Sequence, residues 1–303
     1  MAQLRTLTEP EWRPLEAAHQ ARVAELTAAH LERRRRGERH AVEDFLFDYY
    51  GFSPARLARW HPGPGVALLG AGGEPRAGWT HLTTTPEGAL MLDVPAYLQA
   101  RGKAVAFVRR LLERTLERDV HTGCFGLHEW AMVYRQPQER RHGSLPLRLG
   151  GAGTDAVLEA STLRCTHFDA TRFFTPEGLA RNTLSPARDT MDAFEQPGCL
   201  HAGMDVYRWA YKLAPAVPSE LVADAFVLAR EIRTLDMQAS PYDLRALGYE
   251  PVRIETPDGR REYAERQRAF AERSNALRRR LLETIDALGG AATDRSRQTV
   301  TTA

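Results

Sequence analysis

Residues 219–235 read Ser219-Glu220-Leu221-Val222-Ala223-Asp224-Ala225-Phe226-Val227-Leu228-Ala229-Arg230-Glu231-Ile232-Arg233-Thr234-Leu235. Ser is a favoured helix N-cap. Leu221, Val222, Ala225, Leu228, Ala229, Ile232 and Leu235 then recur every three or four positions, which draws one apolar stripe along a helix. The same reading extends outward in both directions. Glu11 to Arg36 is rich in Ala, Leu, Glu and Arg and predicts a long helix ending in the basic run Arg33–Arg36 before Gly37. Pro95 to about Arg118 predicts another, and about Glu265 to Leu288 a last one. Phe45, Phe47, Tyr49, Tyr50 and Phe52 crowd one short segment, as a core strut or a pocket wall would.

A β-rich stretch is expected between Val66 and Val94: at Val66–Leu69, within Gly78–Thr84 and within Ala89–Val94, with a turn at Pro86-Glu87-Gly88. The run Gly70-Ala71-Gly72-Gly73 reads as a turn rather than a dinucleotide site, because Pro75 stands where a helix would have to run. Val252 to Tyr263, around Pro257-Asp258-Gly259, suggests a small hairpin. The expected fold is therefore α+β, a predominantly helical single domain with a small antiparallel β portion. Its parts are an N-terminal helix (1–40), an α+β catalytic domain (41–288) and a disordered tail (289–303).

The 303 residues are 43% hydrophobic and 26% charged, which excludes collagen-like, disordered and disulfide-scaffold classes. A formal charge of +2 demands no polyanionic partner. The first residues carry Glu9, Glu11 and Glu16 and no apolar segment, so no secretory signal is expected. The apolar run Val66–Gly73 is too short for a bilayer, so no membrane partner is expected. Three cysteines, an odd number, point away from disulfides and toward a cytoplasmic protein.

A partial internal echo singles out two histidines. Leu127-His128 is followed after four residues by Val133-Tyr134-Arg135, and Leu200-His201 after four residues by Val206-Tyr207-Arg208. If both histidines begin helices that pack face to face, they enter one cavity. Each cysteine also lies near a histidine: Cys124 with His128, Cys165 with His167, Cys199 with His201. Spacing of four puts His201 and Asp205 on one helix face, and alternate spacing puts His167 and Asp169 on one face of an extended segment. His128, His167, Asp169 and His201, with Glu129 and Asp205 beside them, thus form a candidate metal set of the kind zinc or non-haem iron takes. His61 and His81, beside Trp60 and Trp79, are further candidates for that cavity. The same residues also read as core polar groups and helix caps.

Cys165-Thr166-His167-Phe168-Asp169, Gln196-Pro197-Gly198-Cys199-Leu200-His201 and Leu235-Asp236-Met237 leading to Ser240-Pro241-Tyr242-Asp243 resemble an actinobacterial family commonly labelled 3-methyladenine DNA glycosylase. Phe125-Gly126-Leu127-His128-Glu129-Trp130-Ala131 and Arg59-Trp60-His61-Pro62-Gly63 do the same. The resemblance spans roughly Glu43 to Leu282. It implies base excision of alkylated purines from double-stranded DNA, without a cofactor; no catalytic residue is carried over from the family.

That chemistry requires stacking faces, a carboxylate and a phosphate-binding surface. Trp130, Tyr134, Tyr207 and Trp209 are candidates for the first, with Arg172 as a further substrate contact. Glu129 and Asp205 are candidate catalytic carboxylates. Arg33–Arg36, Arg140, Arg141 and Arg278–Arg280 are candidates for the phosphate surface. No helix-hairpin-helix motif stands out. The alternative is a metal-dependent hydrolase or oxygenase, with zinc or iron, acting on a small molecule through His128, His167 and His201 with nearby carboxylates. A non-catalytic binding protein using the same cavity is the third reading.

Overall fold

The computed structural model describes residues 4–136 and 142–300. Among them, four strands form one sheet in the order β1-β2-β4-β3: β1 (Arg5–Leu7), β2 (Val66–Leu68), β3 (Leu82–Thr84) and β4 (Leu90–Leu92). The β2–β4 and β3–β4 pairs are antiparallel, as expected of hairpin-linked neighbours. β1 joins β2 in parallel, with Thr6 opposite Ala67, so the sheet is mixed rather than wholly antiparallel. Arg5–Leu7 therefore belong to the sheet, and the N-terminal helix follows them from Glu9. Three residues are too few to show periodicity, and their partner lies about sixty positions away. Gly70, in the left-handed region, opens the 3₁₀ turn Ala71–Gly73, so the glycine cluster is a turn.

The helices that build the site are α1 (Glu9–Arg35), α2 (Phe45–Tyr50), α3 (Val94–Leu116), α4 (Leu127–Ala131), α5 (Phe168–Thr171), α6 (Leu200–Lys212), α7 (Ser219–Gln238) and α8 (Pro257–Val300). α7 is the centre: it packs on α6 and α8, and α3 lies against α8. Its stripe, from Leu221 to Leu235, is buried throughout. Ser219 does not cap α7 with its side chain. Its hydroxyl accepts the His61 N–H and donates to the Arg59 carbonyl, each at 3.0 Å, which ties α7 to the segment before β2.

Gly203 lets α6 sit this close. A Cβ there would lie 2.9 Å from Ile232 Cδ1 on α7 and 3.0 Å from Ser274 Oγ on α8. The segment Val252–Tyr263 is not a hairpin. Pro257 is the first residue of α8, and the Thr256 hydroxyl accepts the Gly259 N–H at 3.1 Å. Thr-Pro-Asp is a helix-opening order as well as a turn-forming one, and packing on α7 selects the helix. α8 continues through Val300, past Leu288, where the periodicity alone reads a tail. No described helix is long and apolar enough to cross a membrane.

Candidate functional site

Two groups of ligand-capable side chains lie inside the bundle, both fully buried: His128, His201 and Asp236, and His167, Glu195 and Asp205. Within each group the ligand atoms lie within 4.8 Å of one another. The first group begins at a sharp turn. Phe125 (φ 44°) and Gly126 (φ 69°) are both left-handed, and this turns the chain so that α4 starts immediately and carries His128 into the core. His201 enters from the second position of α6, so both histidines of the sequence echo do open helices. Their rings meet edge to face with centroids 4.3 Å apart. The echo ends there, because α4 stops at Ala131 whereas α6 runs on to Lys212.

Asp236, from the last turn of α7, meets His128 Nε2 at 2.7 Å. Its other oxygen accepts from Arg233, which also donates to Glu129 Oε1, both at 2.8 Å. The Arg233 guanidinium stacks 3.9 Å from the Phe45 ring centroid. Despite complete burial, this set of partners holds the Asp236 carboxyl below its ordinary range, His128 contributing most. Burial, then the neighbouring His128, pushes His201 well below the usual histidine range, so it is neutral.

His167 stacks on His201 with centroids 5.2 Å apart, joining the two groups. Its Nε2 lies 3.6 Å from Glu195 Oε1 and 3.4 Å from Asp205 Oδ2. Asp205 accepts from the Tyr50 hydroxyl at 2.8 Å and from Arg208 at 3.2 Å. Burial alone would raise it, but His167, Arg208 and Tyr50 hold it at about 2. Glu195 lacks such donors, and burial pushes it up to about 7. His167 is raised because Asp205 and Glu195 together outweigh the cost of burying its charge.

Nδ1 of His167 and Nδ1 of His201 make no hydrogen bond, and His167 Nε2 and Glu195 Oε1 meet only at 3.6 Å. An unsatisfied buried polar atom costs about 1–3 kcal/mol, so these loosely held atoms have room for a further partner. The surrounding charge has the matching sign. Glu129, Asp169, Glu195, Asp205 and Asp236 face Arg172, Arg208, Arg233 and Arg278 as permanent cations, and Arg278 spends its donors on the Ala202 carbonyl and Asn275. The residues present therefore fit a divalent cation.

The structure redistributes the expected site residues. His201 and Asp205 do share a helix face, but they serve adjoining groups rather than clamping one ion. Asp169 is not a member of either group. Residues 168–171 are a helical turn rather than extended, so His167 points inward while Asp169 accepts from Arg172 at 2.8 Å and from Arg208. Glu129 is the buried counter-ion of Arg233. Trp130 and Tyr207 are enclosed in the main core, with the Trp130 indole donating to the Ala239 carbonyl. Tyr134 donates to Glu159 beneath Arg135 and Arg181.

Of the expected substrate contacts, Trp209 and Arg172 line a large cavity. His61 and His81 line that same cavity, away from the buried groups. Among the arginines read as a phosphate surface, Arg33 pairs with Asp44, Arg35 and Arg36 with Glu32, Arg280 with Asp224, and Arg278 is buried. Arg140 and Arg141 lie outside the described residues.

Asp236 and Glu195 are the ligand-capable residues that sequence reasoning did not assign. Asp236 falls four residues after Ile232, on the apolar stripe of α7, and a charge on a buried stripe is a usable signal. Glu195 sits in a loop with no pattern to mark it. The three cysteines are nearby thiols rather than members of either group: burial raises Cys124, takes Cys165 to about 12 and pushes Cys199 well above the usual thiol range.

Two openings approach the groups. A narrow pocket of about 10 Å³, lined by Tyr49, Phe173 and Arg233 among others, reaches His201 and Glu129. A cavity of about 1000 Å³ lies on the other side of Tyr50, Asp169 and Arg208. Compared with known proteins, the chain matches no family model, no curated protein and no solved structure.

Proposed function

We propose that this chain is a metal-dependent enzyme, a hydrolase or oxygenase acting on a small molecule at the buried histidine–carboxylate site. The observation that carries the reading is the convergence, within 4.8 Å, of fully buried ligand atoms on His167, Glu195 and Asp205, beside the unbonded Nδ1 atoms of His167 and His201. A first ion would be held by His167, Glu195 and Asp205, whose ligand atoms converge. The adjoining group takes a second ion more weakly, because His128 and Asp236 already satisfy each other.

A bound divalent metal supplies Lewis acidity toward water or a substrate oxygen. The chain's own residues prepare the site for it. Tyr50 and Arg208 keep Asp205 ionised and oriented, as outer partners of ligands do. Glu195 holds a proton near neutral pH that an incoming cation displaces. Mixed imidazole and carboxylate donors suit zinc, iron or manganese. Redox-inert zinc goes with hydrolysis, iron with oxygen chemistry. Three unpaired, protonated thiols accord with a reducing compartment and so with a cytoplasmic location.

The base-excision reading draws less support. All four of its stacking residues are buried in the main core, Trp209 alone among them also edging the large cavity, and most of its described arginines are paired with carboxylates. The deciding experiment is elemental analysis of the tag-free protein, as purified and after anaerobic reconstitution. About one ion per chain, rising toward two on reconstitution, is expected. A protein that stays metal-free after reconstitution overturns the reading, and release of base from alkylated duplex DNA by that protein would install the alternative.

A further inference from the structure

The large cavity is walled by α3, α6, the loop 79–81 before β3, and the segments around α2 and α5. Its charge does not follow from the composition. The chain as a whole carries a formal +2. Yet the cavity is lined by Arg56, Arg59, Arg101, Arg188, Lys212 and the pair Arg172 and Arg208, against a single carboxylate, Asp169. That carboxylate is already shared between Arg172 and Arg208. Several arginines elsewhere on the surface take carboxylate partners, as Arg22 and Arg280 do with Asp224, and Arg273 with Glu231. Among the described residues, Arg56, Arg59, Arg101, Arg188 and Lys212 have none.

Three of these cations are held in place without being neutralised. The Arg59 guanidinium lies 5.0 Å from the Trp79 ring centroid, and Lys212 Nζ lies 5.6 Å from that of Trp209. Arg101 donates to the Lys212 carbonyl at 2.8 Å. The crowding is strong enough to lower Lys212, through burial and then the Arg208 charge. Between the cations the walls are apolar and aromatic: Phe52 stacks on Tyr211 at 4.4 Å, and Phe107 meets Trp209 edge on. Like charges gathered around a concave, partly apolar space at a cost in repulsion are the complement of a ligand bearing several negative charges on an organic body. The back wall is shared with the buried site, since Tyr50 and Arg208 line the cavity and both bind Asp205.

We propose that this cavity binds a small organic phosphate carrying at least two negative charges, its phosphates among Arg101, Arg188 and Lys212 and its body against the aromatic walls. As the substrate of the buried site it rests on the metalloenzyme reading; as an anion site it stands without it.

The test is calorimetric titration of the full chain, metal-depleted and metal-loaded, with ATP, inorganic pyrophosphate and adenosine at low and high salt. ATP is expected to bind tightest, pyrophosphate more weakly and adenosine at least about tenfold more weakly than ATP, with the ATP affinity falling as salt rises. Arg188→Gln and Arg101→Gln are each expected to weaken ATP binding about tenfold, the worth of one charge-assisted hydrogen bond, while Arg261→Gln on the far surface of α8 leaves it unchanged. Melting curves matching the parent's establish that both cavity variants fold.

Adenosine binding as well as ATP, no binding of either phosphate, or Arg188→Gln and Arg101→Gln binding ATP like the parent each overturn the proposal. Equal binding of pyrophosphate and ATP overturns the organic body. Duplex DNA displacing ATP at lower concentration than free nucleotide would make the surface a nucleic-acid site instead. ATP binding by a chain that refuses metal retains the cavity and discards the metalloenzyme, so the two failures are told apart.

Discussion

The molecule keeps its two charge excesses apart. In the interior, buried carboxylates gather around three histidines in ring contact, and both ligand groups are buried. Across the wall made by Tyr50, Asp169 and Arg208, a half-open cavity gathers cations with one shared carboxylate. The interior charges are locked by hydrogen bonds such as Asp236 to His128 and Arg233 to Glu129, so removing one leaves another stranded. The cavity charges are pinned by ring faces and backbone carbonyls, so each can be removed alone. Strong coupling inside and weak coupling outside is the pattern expected of a built site beside a recognition surface.

The hardest test of the interior is the proposed metal. His167→Ala is expected to lower ion content from about one per chain to background, a loss of at least about a hundredfold in affinity, whereas Asp236→Asn keeps the first ion and loses only the second. Titration with zinc against a competing chelator reads both, and retention of the first ion in His167→Ala would dissolve the interior group. Next in size is Arg233→Met, which strands Glu129 and Asp236 and should cost about 3–5 kcal/mol in urea unfolding, against under about 0.5 kcal/mol for Arg188→Gln at the cavity. Equal costs would erase the contrast between locked and loose charges. Gly203→Val comes third: its side chain must enter the space held by Ile232 and Ser274, and about 1–3 kcal/mol of stability is expected to be lost.

The smallest effect is a pH dependence on the cavity side. Burial, with a lesser push from His19, takes His61 down to about 3, so the folded chain keeps it neutral. Below about pH 6.5 the unfolded chain takes up a proton that the folded chain refuses. Stability therefore falls as pH is lowered from 6.5 toward 3, by about 1.4 kcal/mol per unit from this group. His61→Gln should flatten that part of the profile between pH 7.5 and 5.5, measured by urea unfolding at each pH. An unchanged slope would move the proton uptake to another residue.

Much of this architecture was legible in advance where the signal was local. The stripe of α7, the helix before Gly37 and the strands around Pro86 each express a spacing of three to four or of two within a few turns of chain. The paired histidine runs likewise marked His128 and His201, because the residue types and the helix starts lie side by side in sequence. Where local signals were ambiguous, packing decided: Thr256-Pro257-Asp258 serves a turn or a helix equally well, and contact with α7 made it α8.

By itself, then, the order of residues determined a helical α+β chain and the histidine segments that meet in its centre. Only the tertiary structure decided which carboxylates join them. Asp236 stands 108 positions from His128, and Glu195 comes from a loop without periodicity. It also decided that Asp169 turns outward to arginines and that cations scattered from Arg56 to Lys212 surround one cavity. The physical reason is range. Backbone propensity and periodicity act over a few residues, whereas a buried charge finds its partner only after desolvation and close packing bring distant segments within a few ångströms.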